Sequence, residues 1–122
     1  MIIAIDFDGT VVKHKYPFVG DTVDGSVRVL KKLVENKHKL ILWTMRSGNE
    51  LEDAVEWFKS NDIPLYGKNY NPGQQNWTKS PKAYAQLYID DAALGCPLIH
   101  GEDRPYVNWD EVENYLIENK II

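Results

Sequence analysis

Four consecutive apolar residues, Ile2-Ile3-Ala4-Ile5, run directly into Asp6-Phe7-Asp8-Gly9-Thr10. An unbroken run of branched side chains suits a strand buried on both faces, the situation of a parallel sheet covered on each side. The pattern returns in Leu40-Ile41-Leu42-Trp43, closed by Thr44, and in Leu87-Tyr88-Ile89, closed by Asp90-Asp91. Helical periodicity fills the gaps between them. Strands alternating with helices predict right-handed crossovers and a three-layer α/β/α, Rossmann-like fold with a central, mostly parallel sheet. With 122 residues the chain has room for one domain, spanning residues 1–122.

The helix signals are specific. Asp24 is the expected cap of a first helix whose Val27, Leu30, Leu33 and Val34 line one face and which ends near Asn36. Ser47 and Glu50 form a capping-box pattern ahead of a second helix, with Leu51, Ala54, Val55 and Phe58 at i, i+3, i+4, i+7 spacing. Asn108 with Glu111 opens a third, which presents Trp109, Val112 and Leu116 to the core. Asn61, Asp62 and Pro64 stop the second helix, so Leu65-Tyr66 is expected as a short strand. Pro97 to Ile99 is expected as a short edge strand, where proline is tolerated.

Charge and cysteine content narrow the classes of function. Eighteen Asp and Glu outnumber fourteen Lys and Arg, for a net charge of -4, which disfavours nucleic acid and anionic lipid as partners. Cys96 is the only cysteine, so no internal disulfide exists and no Cys/His set has zinc spacing. A reducing cytoplasm suits such a chain. The apolar opening, cut off at Asp6, is too short for a signal-peptide core or a membrane span.

Open parallel sheets bind ligands at the carboxyl ends of their strands. Asp6 and Asp8, Thr44, and Asp90 and Asp91 all sit at that edge, so one site is expected. Converging carboxylates repel one another unless a cation neutralises them, and magnesium prefers oxygen donors shared with water and a substrate phosphate. Asp6 and Asp8, one residue apart, point to the same face while the backbone stays extended, and there they would flank one phosphorus as nucleophile and acid/base. Gly9 permits a sharp exit from the strand. The Thr44 hydroxyl and the amides at the start of the Ser47 helix are suitable donors to phosphate oxygens. Lys82, eight residues before Asp90, is placed to add positive charge.

In this order these motifs resemble those of the haloacid dehalogenase superfamily of phosphatases, and of a small capless member in particular. DFDGT at 6–10 resembles the first motif, Thr44 closing LILWT the second, Lys82 the third and YIDD at 88–91 the fourth. The resemblance covers about residues 2 to 95, and DFDGT after an apolar strand is its most specific part. It implies a phosphomonoester hydrolase in which Asp6 becomes an aspartyl-phosphate, while Asp8 protonates the leaving group and then activates water. It further implies magnesium held by Asp6, the Asp8 backbone carbonyl and Asp90, with Asp91 at or just behind that shell. Gly9, Thr10, Arg46 and Lys79 are the expected substrate-side neighbours. Two departures stand out. The third motif is normally set further from the fourth, across a full helix, and Lys79 competes with Lys82 for its role. The cap is missing, since neither 11–24 nor 63–79 is long enough to fold as one, which leaves the site open or covered by a partner subunit.

A small phosphorylated substrate is expected, with a polynucleotide or other macromolecular substrate as the variant an open site admits. Two rivals come from other classes. A phospho-accepting receiver domain also has aspartates, a Thr and a Lys, but its motif order differs, with Thr late where Thr44 is early. A catalytically inactive relative would bind phosphate and magnesium without turnover. Bland roles stand beside the sharp ones: Arg46 as an exposed charge, Lys13, His14 and Lys15 as a solvated loop rather than an entrance that attracts an anionic substrate, and the four tryptophans as the core or its margins.

Overall fold

The structure, a computed structural model, describes residues 1–122. The apolar runs become β1 (Ile2–Ile5), β2 (Lys39–Leu42) and β4 (Leu87–Ile89), joined by β3 (Gly67–Lys68) in a parallel sheet of order β3-β2-β1-β4. Ile3 aligns with Leu40 and Leu87, and Ile5 with Leu42 and Ile89, so alternate residues share a face. That face carries Ile3, Ile5, Leu40, Leu42 and Ile89 into one core with α1 (Ser26–Glu35), α2 (Gly48–Ser60) and α3 (Trp109–Glu118). Burying each such side chain contributes roughly 1.5–3 kcal/mol. The protein is α/β, with a three-layer, Rossmann-like arrangement.

Ala4, Ile41 and Tyr88 share the opposite face, covered by the segment 69–86, whose only helix is a 3-10 turn at Gln74–Asn76. Two buried amides hold this layer together. Asn71 donates to the Tyr84 carbonyl, while Gln74 donates to the Ser80 and Lys82 carbonyls and accepts from the Tyr84 amide. The Tyr88 hydroxyl donates to the Ala83 carbonyl, closing the layer onto the sheet. Gly67 has to be glycine, because a Cβ there would strike the Tyr70 carbonyl as the chain folds back across the strand. The third strand pairs Gly67 with Ile41 and Lys68 with Leu42, so it falls just after the expected Leu65-Tyr66.

Other boundaries also move. Gly25, at φ 86°, caps α1 in place of the exposed Asp24, and its bare Cα lets Trp109 pack close. Ser47 does cap α2, but its side chain makes no capping bond, so the capping box is not formed. Asn108 caps α3 as expected, accepting from the Glu111 amide. The strand near Pro97 is β5 (Leu98–Ile99), paired antiparallel with β6 (Tyr106–Val107) in a separate ribbon and not at the edge of the main sheet. No helix is long and apolar enough to cross a membrane.

Candidate active site

The ends of β1 and β4 are neighbours, and the Asp6 amide continues their ladder by donating to the Ile89 carbonyl at 3.0 Å. That bond sets Asp6 beside Asp90 and Asp91. Carboxylate oxygens of the three lie within 4.8 Å of one another. Asp6 is pushed up from 3.8 to about 8, first by burial and then by the charge of Asp90. Asp90 is also raised, again chiefly by burial. Without a cation the site therefore favours the protonated forms of Asp6 and Asp90.

Thr10 is completely buried beneath this group. Its hydroxyl donates to Asp6 Oδ2 at 2.8 Å and lies 3.2 Å from the Asp91 amide, whose hydrogen it accepts. Gly9, at φ 82°, is covered by His14 and Asp91, and a Cβ there would collide with both. Neither residue can touch a substrate, which corrects the expectation for Gly9 and Thr10. They are the frame under Asp6. The C-terminal segment braces that frame, since Trp109 Nε1 donates to the Thr10 carbonyl at 2.7 Å and the Val107 amide to the Gly9 carbonyl at 3.0 Å.

Asp8 departs further from expectation. After Phe7 the chain turns, with the amides of Thr10 and Val11 both donating to the Phe7 carbonyl, so the extended geometry that would align Asp6 with Asp8 ends too soon. The Asp8 carboxylate faces Arg46 instead, accepting from Nε and Nη2 at 2.8 Å each. Arg46 is 2% exposed, and its remaining N–H groups reach the carbonyls of Pro17, Phe18 and Glu50. All five donors are used. Arg46 is thus neither an exposed charge nor a substrate contact; it positions Asp8. The Asp8 backbone carbonyl, by contrast, accepts no hydrogen bond within the chain.

Above Asp6 opens a hollow of about 300 Å³ lined by Asp6, Trp43, Thr44, Met45, Asn69 and Asp90. The Thr44 oxygen accepts from the Arg46 amide, which leaves the hydroxyl proton free for a ligand. Asn69, at φ 57°, receives the Thr44 amide at 2.8 Å and so fixes this loop. Ser47 and Gly48 at the start of α2 are exposed but do not line the hollow. Lys82 is exposed with Nζ 5.7 Å from the centre of the Tyr88 ring, and Lys79 lines an adjoining hollow that shares Asn69. Neither lysine pairs with Asp6, Asp90 or Asp91.

The sequence put His14 near the site entrance but missed its partner, Asp91. Its Nε2 lies 3.0 Å from Asp91 Oδ2, with both side chains about six-sevenths buried. Asn69 was missed as well. Its one signal is the turn-rich string Asn69-Tyr70-Asn71-Pro72-Gly73. Of the tryptophans, Trp57 and Trp109 are core, Trp77 is exposed and Trp43 faces the hollow.

Fold and site together define an α/β, Rossmann-like protein with an acidic centre at the carboxyl edge of its parallel sheet. A solved structure of a conserved protein from Bacteroides thetaiotaomicron is 36% identical to it, with a TM-score of 0.79 over 98% of this chain and 91% of that one. The chain belongs to the same family as that protein. No protein-family model matches the chain, and no curated protein matches it.

Proposed function

We propose that this protein is a magnesium-dependent phosphomonoester hydrolase that works through an aspartyl-phosphate on Asp6. The observation carrying the reading is the convergence of Asp6, Asp90 and Asp91 below a hollow that also exposes the Thr44 hydroxyl. The donor set fits the cation: the three carboxylates offer only oxygen, and Asp6 is held protonated near neutrality where no positive charge offsets its neighbours. Magnesium held by Asp6, Asp90 and Asp91 would supply that positive charge and polarise a phosphate oxygen.

The chain's own groups do the rest. A carboxylate oxygen of Asp6 attacks phosphorus while the bond to the leaving oxygen breaks, and Thr44 donates to a non-bridging oxygen. Water then displaces the Asp6 oxygen and inorganic phosphate leaves. Asp8 protonates the leaving oxygen only after it has parted from Arg46 and taken a proton from solvent, and it then accepts a proton from the water that displaces the Asp6 oxygen, so the ion pair is a resting state that must open before acid catalysis. A small phosphorylated substrate in a cytoplasmic setting is the context this reading carries. Neither Lys82 nor Lys79 has a contact that assigns it the phosphate.

One observation favours a second reading. With both Asp8 oxygens committed to Arg46, the site is suited to binding phosphate, or to holding a phosphoryl group on Asp6, without rapid turnover. Phosphate release from an aryl phosphate decides between them. The hydrolase reading expects release that requires magnesium, stops with chelator and is abolished in Asp6→Asn. Release that survives Asp6→Asn refutes the mechanism, and a stable phosphoryl adduct without release establishes the second reading.

A further inference from the structure

The hollow above Asp6 has an unusual wall. Its floor is acidic, Thr44 and Asn69 are polar, and the remaining two side chains, Trp43 and Met45, are apolar. Met45 is 99% exposed although it sits one residue from Thr44, and no part of the chain covers it. The backbone holding the wall is fixed on both sides: the Trp43 amide donates to the Ile5 carbonyl, the Thr44 amide to Asn69 and the Arg46 amide to Thr44. Trp43 and Met45 are therefore presented in register with the Thr44 hydroxyl. An adaptable thioether and an indole beside a nucleophile gain most by covering a flat apolar surface.

We infer that the hollow takes a phosphomonoester whose leaving group carries a neutral planar ring, packed against Trp43 and Met45. This rests on the hydrolase reading and names its substrate class. The competing leaving groups fit the lining poorly. A second anionic group would face Asp6 and Asp90 with no cation in the wall, since Arg46 is fully spent. A bare polyol would find few free donors, because Asn69 accepts the Thr44 amide and turns its own N–H toward the Arg46 carbonyl. The volume of about 300 Å³ lies at the small end of ligand sites, enough for a phosphate and one ring system. The ring can belong to a nucleobase or to an aryl alcohol.

Two matched pairs of esters test this, each pair alike at its leaving oxygen: a nucleoside 5′-monophosphate against ribose 5-phosphate, and 2-phenylethyl phosphate against butyl phosphate. In either pair the ring-bearing member is expected to show at least tenfold higher kcat/KM, and the pair with the larger ratio identifies the source of the ring. Met45→Ala, a change at a fully exposed side chain, is expected to cut that ratio at least threefold through KM. Trp43→Phe keeps most of it and Trp43→Ala does not. Calorimetry on the magnesium-loaded wild type with the non-hydrolysable phosphonate analogues of the same four esters supplies a readout independent of turnover, with ring-bearing members binding at least tenfold tighter. Ratios within twofold of one in both assays overturn the inference and leave the hydrolase reading standing. Release of phosphate from none of the four esters overturns the hydrolase reading, and calorimetry still decides whether the wall selects a ring.

Discussion

Asp6→Asn should make the metal-free protein more stable, and increasingly so as pH rises. Asp6 binds its proton up to about pH 8 in the folded chain, whereas its ordinary carboxyl value is 3.8. Between these values the unfolded chain has released the proton and the folded one has kept it, so stability falls as pH rises through the window. The full shift corresponds to a ceiling of ~6 kcal/mol at 1.36 kcal/mol per pH unit. Relaxation, water entry and counter-ions offset much of that, leaving a realised cost of ~1–3 kcal/mol. Asparagine keeps an acceptor for the Thr10 hydroxyl and removes the charge. Thermal unfolding with chelator present, at pH 5 and at pH 8.5, measures the difference. The variant's advantage should be small at pH 5, where only about a quarter of the window has been crossed, and reach on the order of 5–10 °C at pH 8.5. An equal offset at both values, or a loss at pH 8.5, would refute the claim that unbalanced negative charge dominates this site.

Magnesium should raise the melting temperature of the wild type at pH 8 and raise that of Asp6→Asn or Asp90→Asn much less, since saturation at 100 Kd is worth about 2.7 kcal/mol; equal gains would place the ion elsewhere. Arg46→Met should cost ~3–5 kcal/mol in denaturant unfolding, because it leaves Asp8 and three carbonyls without their donors, and a loss under 1 kcal/mol would show the pair is not structurally important. Gly9→Ala should unfold the chain or displace His14, seen as a loss of several degrees in melting temperature, since a Cβ has no room. Gln74→Leu should cost ~2–4 kcal/mol by orphaning the Ser80 and Lys82 carbonyls and the Tyr84 amide, measured by urea midpoint at constant slope.

The interior strands were legible because burial on both faces forces a continuous apolar string, and β1, β2 and β4 obey it. Gly67–Lys68 was not, since a two-residue strand carries no periodic signature and its glycine is required by the close passage of Tyr70 three residues ahead. The layer over Ala4 and Ile41 was hidden for a related reason. It is assembled by the amides of Asn71 and Gln74 satisfying distant backbone groups, and polar residues among glycine and proline read locally as an ordinary loop. Helix starts erred where tertiary contacts outweighed local capping. Gly25 won over Asp24 because Trp109 needs the space, and Ser47 stands free of the bond its sequence invites.

At the site, residues at strand ends were foreseeable and residues that arrive from loops were not. Asp6, Asp90, Asp91 and Thr44 are placed by the sheet, so their meeting follows from topology alone. His14 and Asn69 reach the same edge by turns whose geometry no spacing encodes. Asp8 and Arg46 show the difference most sharply. A same-face argument for Asp6 and Asp8 holds only while the strand continues, and the turn on the Phe7 carbonyl ends it. The freed carboxylate then meets a guanidinium already fastened to Pro17, Phe18 and Glu50, so one buried side chain ties the acid/base candidate to the 15–18 loop and to the first turn of α2. Burying that arginine is costly unless each donor is met, and each is. A chain that keeps Asp6 poorly compensated while compensating Asp8 completely has separated two carboxylates with nearly identical sequence surroundings, one left needing a cation and the other supplied with one.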